Sequence, residues 1–276
     1  MSTIAPGYAS PVSPALSATS RETCLNCDTP RMGEYCHACG QHFLAGRLTV
    51  GRLLWDFLAR KLSLEGGLIR TFADLTFRPG ATIRDYVRGR RQRYTNPVGY
   101  LLISAAVSTL VLPLWVDELR TALGAEDWGV GKAESEAINQ VFVAMERHPT
   151  LATLFLCAFF VPMLRILFHK RVTTAESTVF AFFVFGHVML WQGLLTPFIV
   201  AASTNVYDAV SNWNMALMLV MLVLSTAGFF GARLSTFLRM GVVVAVSITC
   251  AGIVLFLAGI FWGALASALQ AGAVPQ

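Results

Sequence analysis

Five long apolar runs dominate the chain after residue 96, and the stretch before them alternates between polar and apolar faces. A hydrocarbon core takes roughly 20 apolar helical residues to cross. The runs therefore predict spans at about 97–116, 150–168, 177–202, 213–230 and 241–269. Asn96 is a good N-cap and Pro97 suits a first helical position. Tyr100 and Trp115 mark the ends of the first span, and Pro162 is a candidate kink in the second. The fifth run is longer than a crossing needs, so it should tilt or protrude.

The earlier pattern is amphipathic. Thr49, Arg52, Asp56, Arg60 and Ser63 make one polar stripe, against a broad face of Val50, Leu53, Leu54, Trp55, Phe57, Leu58 and Leu62. A second piece puts Leu68, Ile69, Phe72 and Leu75 on one side and Arg70, Thr71, Asp74 and Arg78 on the other. Pro79-Gly80 should end it, and a third short helix should start near Thr82, which forms a capping box with Asp85. Such helices either lie in the membrane interface or pack on one another and on the spans. The pattern allows both.

Composition agrees. The chain has 276 residues, 55% hydrophobic and 13% charged. A soluble domain carries about 25% charged residues, so there is too little polar material here for a water-facing surface. The net charge of +5 calls for a polyanion. Arg84, Arg88, Arg90, Arg91 and Arg93 lie just before the first span, where anionic lipid headgroups are the nearest polyanion, and nucleic acid is the weaker reading. Tyr94 and Tyr100 would join them in a headgroup-level belt.

The placement of charge also gives a topology. Residues 1–97 hold 13 Lys/Arg, whereas loop 117–149 holds three against seven acids. Lys170 and Arg171 follow the second span, and Arg233 and Arg239 follow the fourth. Loop 203–212 and the tail after 269 carry no Lys or Arg. Basic and non-basic connections alternate, which places the N-terminus in the cytoplasm and the C-terminus outside. Residues 1–23 lack the roughly 7–15-residue apolar core of a secretory signal and read as a disordered tail.

Residues 24–43 carry the distinctive chemistry. Cys24-x-x-Cys27 and Cys36-x-x-Cys39 are separated by eight residues. Two such turns can aim four thiolates at one tetrahedral ion, and Gly33 and Gly40 suit the tight turns. His37 and His42 are bystanders once four sulfurs fill the shell. Disulfides would need an oxidising compartment, and a redox CxxC would not need a second pair. Iron has the same ligand preference, so zinc is the expected ion and iron stays open. A closed shell suits stability and partner binding rather than catalysis.

Residues 24–101 resemble the N-terminal part of an uncharacterised family of bacterial multi-span membrane proteins. The shared elements are Cys24, Cys27, Cys36, Cys39, Gly40 and Gln41, then Thr71, Leu75 and Pro79, then Tyr86, Gly89, Arg90, Arg91, Tyr94 and Pro97. The resemblance implies a membrane protein with a zinc-ribbon-like head, placed in the bacterial inner membrane, and brings no activity.

The expected architecture is thus an all-α membrane protein: a tail (1–23), a metal knob (24–43), amphipathic helices and a basic collar (44–96), a helical membrane domain (97–269) and a tail (270–276). Within the spans, His187 and Gln192 are the intramembrane polar candidates. Gly259-x-x-x-Gly263 is a candidate helix contact, of a kind that also recurs by chance in apolar runs, and a homo-oligomer is left open. Cys157 and Cys250 read as buried apolar residues. No catalytic residues are assigned, and no phosphate loop, dinucleotide glycine motif or HExxH occurs. The leading functional expectation is a non-enzymatic adapter or regulator that meets a cytoplasmic protein through its head. The alternative is a solute transporter or lipid-handling protein with a polar path near His187. An intramembrane enzyme ranks last, since it requires a second polar group within reach of His187.

Overall fold

The computed structural model describes residues 23–30, 32–41, 49–51, 53–54, 67–114, 117, 130 and 132–272. The polar stripe from Arg52 to Ser63, His42, Trp115 and both chain ends lie outside them. The described residues fold into eight α-helices and no β-strand: α1 Gly67–Phe77, α2 Pro79–Val87, α3 Pro97–Val111, α4 Lys132–Arg147, α5 Pro149–Leu167, α6 Thr174–Ala202, α7 Val206–Phe230 and α8 Leu234–Gly272. A short 3-10 turn, Leu112–Leu114, extends α3.

Five of these helices are long and apolar enough to cross a membrane: Pro97–Leu114, Thr150–Leu167, Thr174–Ala202, Asp208–Phe230 and Leu234–Leu265. The caps explain where they begin. Asn96 accepts from the Val98 N–H with Pro97 behind it. Thr173 and Glu176 form a reciprocal capping box, which starts α6 before Ser177. Asn205 caps α7 through Asp208, several residues ahead of Trp213. Hydropathy registers only the apolar part of a helix, so polar first turns were invisible to it.

Helix α6 is the centre of the bundle: 72% of its span is buried, against 22–39% for the others. Two glycines let α3 lie close along it. A Cβ at Gly186 would sit 3.2 Å from Leu101 Cα, and one at Gly193 would sit 2.8 Å from the Val107 side chain. These pairs run the same way along both helices, so α3 and α6 are parallel. Thr153–Met189 and Phe160–Phe185 run oppositely along α5 and α6. Phe230–Phe180 and Leu217–Val188 do the same for α7 and α6.

The amphipathic region departs from the sequence reading in three ways. Helix α1 ends at Phe77, just before Pro79-Gly80, but Pro79 also opens α2 at its first position, three residues ahead of Thr82. Thr82 is interior, and its hydroxyl reaches the carbonyls of Asp74 and Arg78, tying the end of α1 to α2 instead of capping. On α1, Ile69 is exposed while Thr71 is buried. Thr71 earns its place by polar contact: its hydroxyl donates to the Gly67 carbonyl and accepts from the Thr95 N–H.

Helices α1 and α2 pack on the bundle. A Cβ on Gly80 would fall 2.4 Å from Gly228 Cα on α7. Phe72 rests on His187 and Trp191 of α6, and Tyr86 on Phe183. Helix α4 lies in what the sequence suggested was a loop. It packs on α8, where a Cβ at Gly259 would sit 2.6 Å from the Ile138 side chain. The apolar spacing Ile138, Val141, Phe142, Met145 is the signal that marks it.

Candidate metal centre

Each CxxC pair folds as the same small turn. The Cys24 N–H donates to the Thr29 carbonyl and the Asp28 N–H to the Cys24 carbonyl. In the second turn the Cys36 N–H donates to the Gln41 carbonyl and the Gly40 N–H to the Cys36 carbonyl. The repeat shows why glycine suits one of these positions: Gly40 has φ +70, and Asp28, its counterpart, φ +57. Gly33, between the turns, has φ +87. An antiparallel bridge from Thr23 to Pro30 closes the first turn at its base.

The two turns bring all four sulfurs within 4.8 Å of one another. Cys24 Sγ is 3.6 Å from Cys39 Sγ, and Cys27 Sγ is 3.5 Å from Cys36 Sγ. Tetrahedral zinc with Zn–S bonds near 2.3 Å sets its sulfurs about 3.8 Å apart, so this donor set fits such an ion. The four cysteines are free thiols. Burial pushes the Cys24 thiol up to about 12 and raises that of Cys39. The Thr29 hydroxyl, 3.1 Å from its sulfur, draws the Cys27 thiol down to about 6. A cation at the centre would hold all four as thiolates.

The head is seated on the collar. Gln41 is buried, and its side-chain amide donates to the Gly89 carbonyl at 2.9 Å. Leu25, inside the first turn, abuts the same residue: a Cβ at Gly89 would meet Leu25 Cδ1 at 2.7 Å. Gly89 also has φ +111, so both backbone and space require glycine. Asp74, on α1, pairs with Arg78 at 3.0 Å and Arg70 at 4.0 Å. Burial first, then the negative charge of Asp74, pushes the Tyr94 phenol up. Tyr94 and Tyr100 are therefore buried rather than part of an exposed belt.

The five collar arginines do not share one environment. Arg88 is exposed, while Arg84, Arg90 and Arg93 are half-buried. Arg90 lies 3.7 Å from Asp85. Arg91 is buried, at 8% exposure, and so is withdrawn from the surface the sequence assigned it to.

His187 is central in its span by residue count, yet it is level with the first turn of α3. Its Nδ1 lies 2.7 Å from the Tyr100 hydroxyl. Trp191 Nε1–H donates to Nε2 at 3.1 Å, and the Thr76 hydroxyl is 3.2 Å from the same nitrogen. Indole N–H can only donate, so Nε2 carries a lone pair and the neutral ring has its proton on Nδ1, facing Tyr100. Polar neighbours are present, but they bond to the ring from three elements and leave His187 only 1% exposed. Gln192 makes none of these bonds and is half-buried.

Residues 65–109 match the family described as "Protein of unknown function (DUF3667)". The match takes in α1, α2, the arginine loop and most of α3, and stops short of the cysteine head. No curated protein and no solved structure matches the chain.

Proposed function

We propose that this is a multi-pass protein of the bacterial inner membrane that acts as a non-enzymatic adapter or regulator, with a zinc-binding head on the cytoplasmic side. The observation that carries the reading is the closed set of four sulfurs. A fourfold thiolate shell leaves no coordination position for a substrate, so the ion's role is to shape a protein surface. Zinc is the expected ion, with no redox demand on the site. The alternation of basic connections supports the cytoplasmic placement.

Two surfaces serve the role. The head exposes Met32 and Tyr35, at 71% and 59%, next to the second cysteine turn, and this apolar pair is offered to a protein partner. Arg84, Arg88, Arg90 and Arg93 are offered to anionic lipid headgroups beside the first span. The bonds that hold His187 to Tyr100, Trp191 and Thr76 give that residue a structural task, and no observation favours the solute-path alternative.

The test is photo-crosslinking in cells with a photoreactive residue at Tyr35 of the full-length protein. A discrete adduct that disappears when Cys24 and Cys36 are both replaced by serine is the expected result. The same adducts with and without the cysteines, or none, would count against an adapter head.

A further inference from the structure

We propose that metal in the cysteine head acts as a clamp on the arginine loop, so that filling or emptying the site switches Arg88–Arg93 between a docked and a released form. This rests on the metal-binding reading above and adds its regulation.

The two head residues that meet Gly89 come one from each cysteine turn. Leu25 directly follows Cys24, and Gln41 is tied to Cys36, whose N–H holds the Gln41 carbonyl at 2.8 Å. The side chain of the same Gln41 then donates to the Gly89 carbonyl at 2.9 Å. Gly40 stands next to the loop as well, with the Gln92 amide 3.9 Å from where its Cβ would be. Any movement of one cysteine turn relative to the other must therefore break a contact with Gly89.

Without an ion, little else fixes the two turns together. Among the described head residues only Cys24, Cys36 and Gln41 are buried. Two of the three are ligands and the third is the docking residue, so the described head residues form no apolar core of their own. Heads of this kind take their folding free energy from the metal. The loop has internal bonds from Arg90 to Asp85 and from Arg91 to Gly89. Those keep its turn but do not cover its outer face, which the head covers at Gly89. Gly89 accepts this contact only because it lacks a Cβ. Metal loss would thus free the loop that carries exposed Arg88 and half-buried Arg90 and Arg93 while leaving the spans in place. The Gln41–Gly89 junction couples a cytoplasmic metal level to the charge presented at the membrane surface.

Hydrogen–deuterium exchange of the segment 86–95 in full-length protein, held in nanodiscs, tests the clamp. Three samples are compared: zinc-replete wild type, wild type stripped by a zinc chelator, and zinc-replete Gln41→Ala. Zinc content is measured on each. The expected result is severalfold faster exchange in the stripped protein, with an intermediate increase in Gln41→Ala while it keeps its zinc. Unchanged exchange after verified zinc loss would overturn the clamp and leave the metal site standing. A wild-type protein that binds no zinc under any condition would overturn both.

Discussion

Gly80 and Gly228 meet backbone to backbone where α2 crosses α7, with a Cβ at either residue falling within 2.8 Å of the other's Cα. The contact makes α2 part of the helical bundle and not a peripheral attachment. It also fixes the height of the arginine loop that follows α2.

Substitution at this crossing should separate the helices. Gly80→Ala or Gly228→Ala is expected to cost about 1–3 kcal/mol through overpacking. Gly241→Ala, where nothing lies within 4 Å, should be neutral or slightly stabilising. Unfolding in mixed micelles measures the difference. Equal stability of Gly80→Ala and Gly241→Ala would show that the crossing is looser than described.

The His187 cluster should behave as structure. Tyr100→Phe removes the acceptor of the Nδ1 proton and should cost about 0.6–1.7 kcal/mol, the range of hydrogen bonds between membrane helices. His187→Leu strands both the Tyr100 hydroxyl and the Trp191 N–H, so its cost should be larger, about 1–3 kcal/mol for each group left unpaired. The same unfolding assay checks both. A His187→Leu protein as stable as the wild type would contradict the assignment.

The all-helical fold and its five long apolar helices could be read in the sequence, because span length follows from the transfer of apolar groups into lipid. The cysteine turns were legible for a similar reason: ligand spacing is local. What could not be read depends on contacts between distant segments. Thr71 looks polar and exposed until Thr95 supplies its partner. Arg91 looks like a surface cation until the loop folds it inward. Gln41 ends a cysteine motif, and only the fold shows that it bonds to Gly89. Helix α4 has an apolar face of Ile138, Val141, Phe142 and Met145, but its acidic surroundings in 117–149 look like a solvent loop until α8 supplies the surface it packs on.

The collar arginines should divide by exposure. Replacing Arg88 and Arg93 with glutamine is expected to weaken the stabilisation by anionic over zwitterionic lipid by about 1 kcal/mol for each charge. The effect should fade at high salt. Arg91→Gln should instead lower stability in both lipids, since its side chain is buried. Thermal unfolding in nanodiscs of the two lipid compositions separates the outcomes. Identical lipid preference in the Arg88/Arg93 variant would remove the headgroup role.

Metal affinity should fall as pH falls. In the metal-free head Cys24 sits near 12 and Cys39 is raised as well, so both are protonated at neutral pH and must lose a proton to bind. Cys27, near 6, is already ionised at pH 7 and is protonated only below that. These two thiols alone displace two protons per ion, so the affinity should rise at least about a hundredfold per pH unit. Competition with a chromophoric chelator between pH 6.5 and 8 measures the slope. A flat profile would show that the thiols are not the ligands.

The central claim is that Cys24, Cys27, Cys36 and Cys39 hold one metal ion. Elemental analysis of the full-length protein, purified in detergent without added metal, tests it most directly. One zinc per chain is expected, lost when Cys36 and Cys39 are replaced by serine while the protein still inserts in the membrane. Protein free of metal, with the four thiols joined pairwise as disulfides, would contradict it.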